Sequence, residues 1–171
     1  QNTFKVFLLT NRDVSTPLHE LSHIFQNDLS NTEKSKVIQW INKQFGQSFK
    51  VSDLVWEGGE DKVLSPEARK ISEFFATGFE QYLKEGGKSK DAAMQSIFDK
   101  FAAWLKEVYT TAIQYMGKDI VLNDDMRALY DTMIGQDKEF AQRVENKKSS
   151  LIDDEATDPE QLVWNYFARE G

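Results

Sequence analysis

Cysteine is absent from the 171 residues of the chain. That excludes disulfides, thiolate catalysis and every zinc site built on sulfur ligands. No run of about 18 apolar residues occurs, so no stretch of the sequence has the makings of a membrane-spanning helix. Positive charge is in deficit, with 21 Lys and Arg against 28 Asp and Glu and a net charge of −7. This balance argues against nucleic acid or an anionic membrane as the main partner. No internal repeat or low-complexity tract is present. Proline is scarce, and each of the three residues, Pro17, Pro66 and Pro159, stands where a helix is expected to begin. The chain opens at Gln1 without an initiator Met or a signal-peptide pattern, and is expected to be part or product of something longer. Its length fits one domain, residues 1–171, with a real hydrophobic core.

Histidine is the scarcest of the metal-binding types that remain. The two present fall in His19-Glu20-Leu21-Ser22-His23, an H-E-x-x-H sequence. Residues four apart share a face of an α-helix, so both imidazoles can address one metal ion. At roughly 100° per residue, Glu20 projects about 80° to one side, suited to hold a water as general base. Leu18, Leu21, Phe25 and Leu29 form a separate apolar stripe with Ile24 at its edge. Thr16-Pro17 reads as N-cap and first helical residue, and the helix is expected to run to Leu29.

Taken in order, Thr3–Thr10 is rich in β-branched and aromatic residues and reads as a strand. It serves equally as a core strand or as an edge that pairs with an extended substrate. Asn31 is expected to cap a second helix to Phe45, ended by Gly46. Ser48 to Ser65 is the least periodic stretch, with strand-like pieces at Phe49–Val51 and Leu54–Trp56 and a turn at Gly58-Gly59. So long a connection is often functional, and Trp56 is a candidate border of a cleft.

A third helix opens at Ser65-Pro66, closes at Gly86-Gly87 and buries Ile71, Phe75, Phe79 and Tyr82. Catalytic zinc takes three protein ligands and leaves a fourth position open. With no third His and no Cys, the third ligand must be Asp or Glu. Glu73 and Glu80 lie seven apart on the other face of this helix, within about 20° of each other, and spacing leaves both open. Further on, Ser89 is expected to cap a long helix to Met116, with Met94, Phe98, Phe101 and Leu105 inward. Asn123 caps another, and a polar helix covers Asp137 to Lys147. A charged link over 149–158 leads to a C-terminal helix, 159–169.

The string Glu73-Phe74-Phe75-Ala76-Thr77-Gly78-Phe79 resembles the second metal helix of gluzincin-type peptidases of the anthrax lethal factor kind. The resemblance implies that Glu73 is the third zinc ligand. A broader likeness, from about Lys5 to Gly135, is to metallopeptidase domains in the large polyvalent proteins of bacteriophages and other mobile elements. It rests on Asp13-Val14-Ser15-Thr16 leading into the H-E-x-x-H, and on Ala76-Thr77-Gly78-Phe79-Glu80-Gln81-Tyr82-Leu83-Lys84-Glu85-Gly86. Phe98–Tyr109 and Val121–Arg127 follow in the same order. The chain departs from the lethal factor pattern at Thr77, where an acidic residue is usual. It also has Ser65, Pro66 and Glu67 where that pattern carries an oxyanion-stabilising tyrosine. Tyr82, Tyr109, Tyr115 and Tyr130 are the candidates for that task, and nothing in the sequence selects one.

The expected fold is therefore α+β and predominantly helical, zincin-like, with a small N-terminal β element beside the H-E-x-x-H helix. The expected function is zinc-dependent peptide hydrolysis. Zn2+ is held by His19, His23 and Glu73, Glu20 is the base that assists attack of the zinc-bound water, and Asp13 or Glu80 orients an imidazole or substitutes as ligand. The substrate is a peptide or protein, the parent polypeptide included. A phage origin implies the virion and then the host cytoplasm. The alternative is a catalytically silent zinc-binding or helical interaction module in a larger phage-derived assembly.

Overall fold

The structure is a computed structural model that describes residues 17–54, 65–116 and 122–153. The strand expected over Thr3–Thr10, Asp13, the Gly58-Gly59 turn and the C-terminal helix all lie outside those residues. Among the described residues there are six α-helices and a 3-10 helix. They are α1 (Leu18–Asn27), α2 (Asn31–Phe45), the 3-10 helix (Val51–Leu54), α3 (Pro66–Lys84), α4 (Ala92–Met116), α5 (Asp124–Gln136) and α6 (Lys138–Asp153). The helical part of the expected fold is thus observed. No helix among the described residues is long and apolar enough to cross a membrane.

The chain forms two compact units. The first is Pro17–Ala102. In α1 the spacing of Leu18, Leu21 and Phe25 gives one apolar stripe, and all three are buried, as is Leu29 just beyond the helix. In α3 the same logic buries Ile71, Phe75, Phe79 and Tyr82. The helices meet through rings: Phe25 lies 4.9 Å from Phe101, Phe75 lies 5.2 Å from Phe98, and Phe79 lies 4.7 Å from Phe101. Each fully buried ring contributes about 2–3 kcal/mol over its exposed state, so this cluster holds the unit together. α1 and α2 both pack on α3, and the 3-10 helix sits against α2 and α3.

Local chemistry sets the ends. The α2 cap is Ser30, not Asn31: its hydroxyl accepts from the Glu33 amide at 3.1 Å while the Glu33 carboxylate accepts from the Ser30 amide at 3.2 Å. This reciprocal box selects Ser30 because its partner, three residues on, is the Glu. Gly46 closes α2 at φ 64°, a conformation that favours glycine. Ser65 caps α3 through the Ala68 amide at 3.1 Å. α3 ends at Lys84 with Glu85 as its C-cap, and Gly86-Gly87 turn the chain away just after, at φ 76° and 80°. α4 begins later than expected, at Ala92, because Asp91 rather than Ser89 caps it, accepting from the Met94 amide at 3.0 Å. α1 is shorter at both ends than expected. Pro17 is the N-cap, without a side-chain cap, and the chain leaves the helix at Asp28.

Phe49–Val51 is not a strand. The Asn42 side chain takes both backbone groups of Phe49, donating to its carbonyl at 2.9 Å and accepting from its amide at 2.8 Å. Those groups are then used up, and Val51–Leu54 coils into a 3-10 turn with Leu54 buried.

The described residues of the second unit are 103–116 and 122–153. Leu105 and Val108 of α4, Met126, Tyr130 and Met133 of α5, and Phe140 and Val144 of α6 are all buried. Tyr109 and Tyr130 stack at 4.2 Å. Asn123 caps α5 through the Met126 amide, as expected. Asp137 ends α5 and starts α6, accepting from the Glu139 and Phe140 amides and pairing with Lys106 at 2.9 Å. The stretch Ser149–Asp153, expected as the start of a charged link, continues α6.

Candidate functional site

His19, Glu20 and His23 are carried by α1, whose first turn hangs from the Pro17 carbonyl: the Glu20 and Leu21 amides donate to it at 3.0 and 3.1 Å. Glu20 in that first turn complements the positive end of the helix. The three side chains meet different surroundings. Glu20 is exposed, His19 is half-buried, and His23 is 1 % exposed. The face that carries the histidines is therefore not an open one: at His23 it turns into the protein. Burial pushes the His23 imidazole down from 6.5 to about 4. Near neutral pH it is uncharged and keeps a lone pair, the protonation state that metal ligation needs.

Two further polar side chains of this unit are buried, Gln26 on α1 and Ser72 on α3. Gln26 is 1 % exposed, and neither amide atom has a hydrogen-bond partner among the described residues. Ser72 on α3 is fully buried, and its hydroxyl likewise has no partner among them. Leaving such groups unpaired costs about 1–3 kcal/mol each. Ser22, also fully buried, is satisfied by donating to the Leu18 carbonyl at 2.7 Å. Gln26 was missed in the sequence. The available signal is its place seven after His19, about 20° round the same helix, on the side that also carries Ser22 and His23.

The carboxylates expected to complete the site stand elsewhere. Glu73 and Glu80 are both exposed on α3, on the side away from Ile71, Phe75 and Phe79. Thr77 between them donates its hydroxyl back to the Glu73 carbonyl at 3.0 Å. Among the described residues no group of three or more His, Asp and Glu is gathered where it could hold a metal ion. The structure thus unites His19 and His23, one turn apart on a helix packed against α3, and does not bring Glu73 or Glu80 to them. The histidine pair fits two positions of a zinc site; the third is not filled by the described residues in this arrangement.

Of the tyrosines considered for oxyanion stabilisation, Tyr82 and Tyr130 are buried. Burial, and the Asp99 carboxylate that accepts its hydroxyl, raise Tyr82 well above the usual phenol range. Burial raises Tyr109 and Tyr130 too. No family model, curated protein or solved structure matches the chain.

Proposed function

We propose that the chain is a zinc-dependent metallopeptidase domain with a zincin-like fold, of the kind found within large phage or mobile-element proteins. The observation that carries this reading is the H-E-x-x-H itself, which lies on an α-helix packed against the helix that bears Glu73-Phe74-Phe75-Ala76. His19 and the neutral His23 are suited to hold the ion, and the resemblance assigns Glu73 as the third ligand. Bound zinc supplies Lewis acidity toward a peptide carbonyl.

The remaining work falls to the chain. Glu20, exposed in the first turn of α1, is free to accept a proton from the attacking water and return it to the leaving amine. Asp13, or Glu80 in an arrangement other than the one described, would orient an imidazole through its second nitrogen. The substrate is a peptide segment, that of the parent polypeptide included. For Glu20→Gln, cleavage of a denatured protein mixture should fall about 100-fold or more while zinc content stays at the wild-type level. Cleavage at the wild-type rate would remove Glu20 from the role of base.

A second reading, a catalytically silent helical interaction module, is favoured by the contrast between buried His23 and exposed Glu73. Thermal melts with and without chelator separate a zinc-holding domain from a metal-free one.

A further inference from the structure

Resting on the zinc reading above, we infer that Gln26 is a positioning residue for the metal site. Its side-chain carbonyl receives the N–H of the His23 imidazole and holds that ring for zinc. Gln26 is 1 % exposed, and neither its amide nitrogen nor its amide oxygen has a hydrogen-bond partner among the described residues. A buried amide left in that condition burdens the fold, and its partner is to be sought in another state of the site.

The geometry of α1 limits what that partner can be. Side chains on a helix lean toward its N-terminus, so a long one at position 26 lies over the turn that carries Ser22 and His23. These stand four and three residues back, where Cβ atoms are about 5–6 Å apart. Both are buried. One turn on, Leu29 is apolar and Ser30 is committed to the α2 capping box. The Ser72 hydroxyl of α3 is buried as well, yet it and Gln26 do not bond to each other.

The directions of the hydrogen bonds then decide the roles. The Ser22 hydroxyl gives its one proton to the Leu18 carbonyl at 2.7 Å and is left as an acceptor. It suits the Gln26 amide N–H. The Gln26 carbonyl still needs a donor, and an imidazole supplies one when its other nitrogen faces a metal ion. In the resulting chain His23 donates to Gln26, Gln26 to Ser22, and Ser22 to Leu18. Each member has one role, so a single tautomer of His23 is compatible with it. In the arrangement described the amide makes neither of its bonds, so a turn of its side chain accompanies zinc binding. An amide also fits where a carboxylate does not. At 1 % exposure an ionised Asp or Glu would carry a large desolvation cost, which a neutral amide avoids while orienting the ring.

Gln26 therefore lowers the stability of the zinc-free fold and raises the affinity for zinc, and the opposite signs are the test. Zinc affinity of the full chain is measured by competition with a chromophoric chelator, beside the melting temperature of the zinc-free protein. Gln26→Met should weaken zinc about tenfold to a hundredfold, while the zinc-free protein melts about 2–4 °C higher. A residue that merely fills the core would move both in the same direction. Gln26→Glu keeps an oxygen at the same reach and should hold zinc as the wild type does, although its zinc-free form melts lower. With 15N-labelled histidine, zinc-loaded wild type should show a slowly exchanging His23 N–H that Gln26→Met loses. Zinc held equally well by wild type and Gln26→Met, or an N–H signal that survives the change, would overturn the inference and leave the zinc reading standing. No zinc on the wild-type chain would overturn both.

Discussion

The imidazole of His23 and the carboxylate of Glu20, three residues apart on α1, live in opposite surroundings, one buried and one in solvent. For His23 this has a direct consequence in stability. Its folded pKa is depressed from 6.5 to about 4, so above 6.5 it is neutral folded or unfolded. Between those values the unfolded chain takes up a proton that the folded chain refuses. The contribution of neutral His23 is thus fully present above 6.5 and is lost as pH falls toward 4. Metal-free protein should therefore melt at progressively lower temperature across that window, and His23→Gln should flatten the dependence. An equal slope in the variant would show that other groups carry it. Gln26 poses the opposite case. Exchanging its amide, which has no partner among the described residues, for the similar volume of Met should raise stability by about 1 kcal/mol in urea unfolding. A loss instead would reveal a polar partner worth keeping.

At the scale of elements, ends are decided by a few neighbouring atoms, and this made much of the helical layout legible in the sequence. Ser65, Asn123, Gly46 and Gly86-Gly87 act where their types and positions place them. The errors are local rivalries. Ser30 and Asn31 are both good caps, and Glu33 decides for Ser30; Ser30→Ala should cost about 1 kcal/mol. Asp91 likewise displaces Ser89. The strand expected at Phe49–Val51 was lost to Asn42, seven residues back on α2, a tertiary contact that no local pattern carries. The candidate site was legible only in part, for a related reason. Spacing puts His19 and His23 on one side of α1, but how that side is turned against α3 depends on packing. That rotation buries His23 and leaves Glu73 in solvent. The ring cluster fixes it, and Phe75→Ala, at a fully buried position, should cost about 3–5 kcal/mol.

At the scale of the molecule, the chain separates its tasks. The Pro17–Ala102 unit carries the histidine motif, and the remaining described residues form a unit with its own core. In the second unit Lys106 holds the Asp137 carboxyl below its usual range, aided by the Phe140 and Glu139 amides. The stability this pair adds is present above the ordinary carboxylate range and is lost as pH falls through the lowered value. Asp137→Asn should therefore blunt the acid limb of unfolding, read as tyrosine signal against pH. The central claim concerns the first unit and stands on one metal ion. Elemental analysis of protein purified without chelator, beside Glu73→Ala and Glu80→Ala, addresses it most directly. Both positions are exposed, so both variants should fold. One zinc per chain, lost in Glu73→Ala and kept in Glu80→Ala, is the expected result. No zinc in the wild-type chain, even after incubation with the metal, would contradict the peptidase and leave a helical binding module.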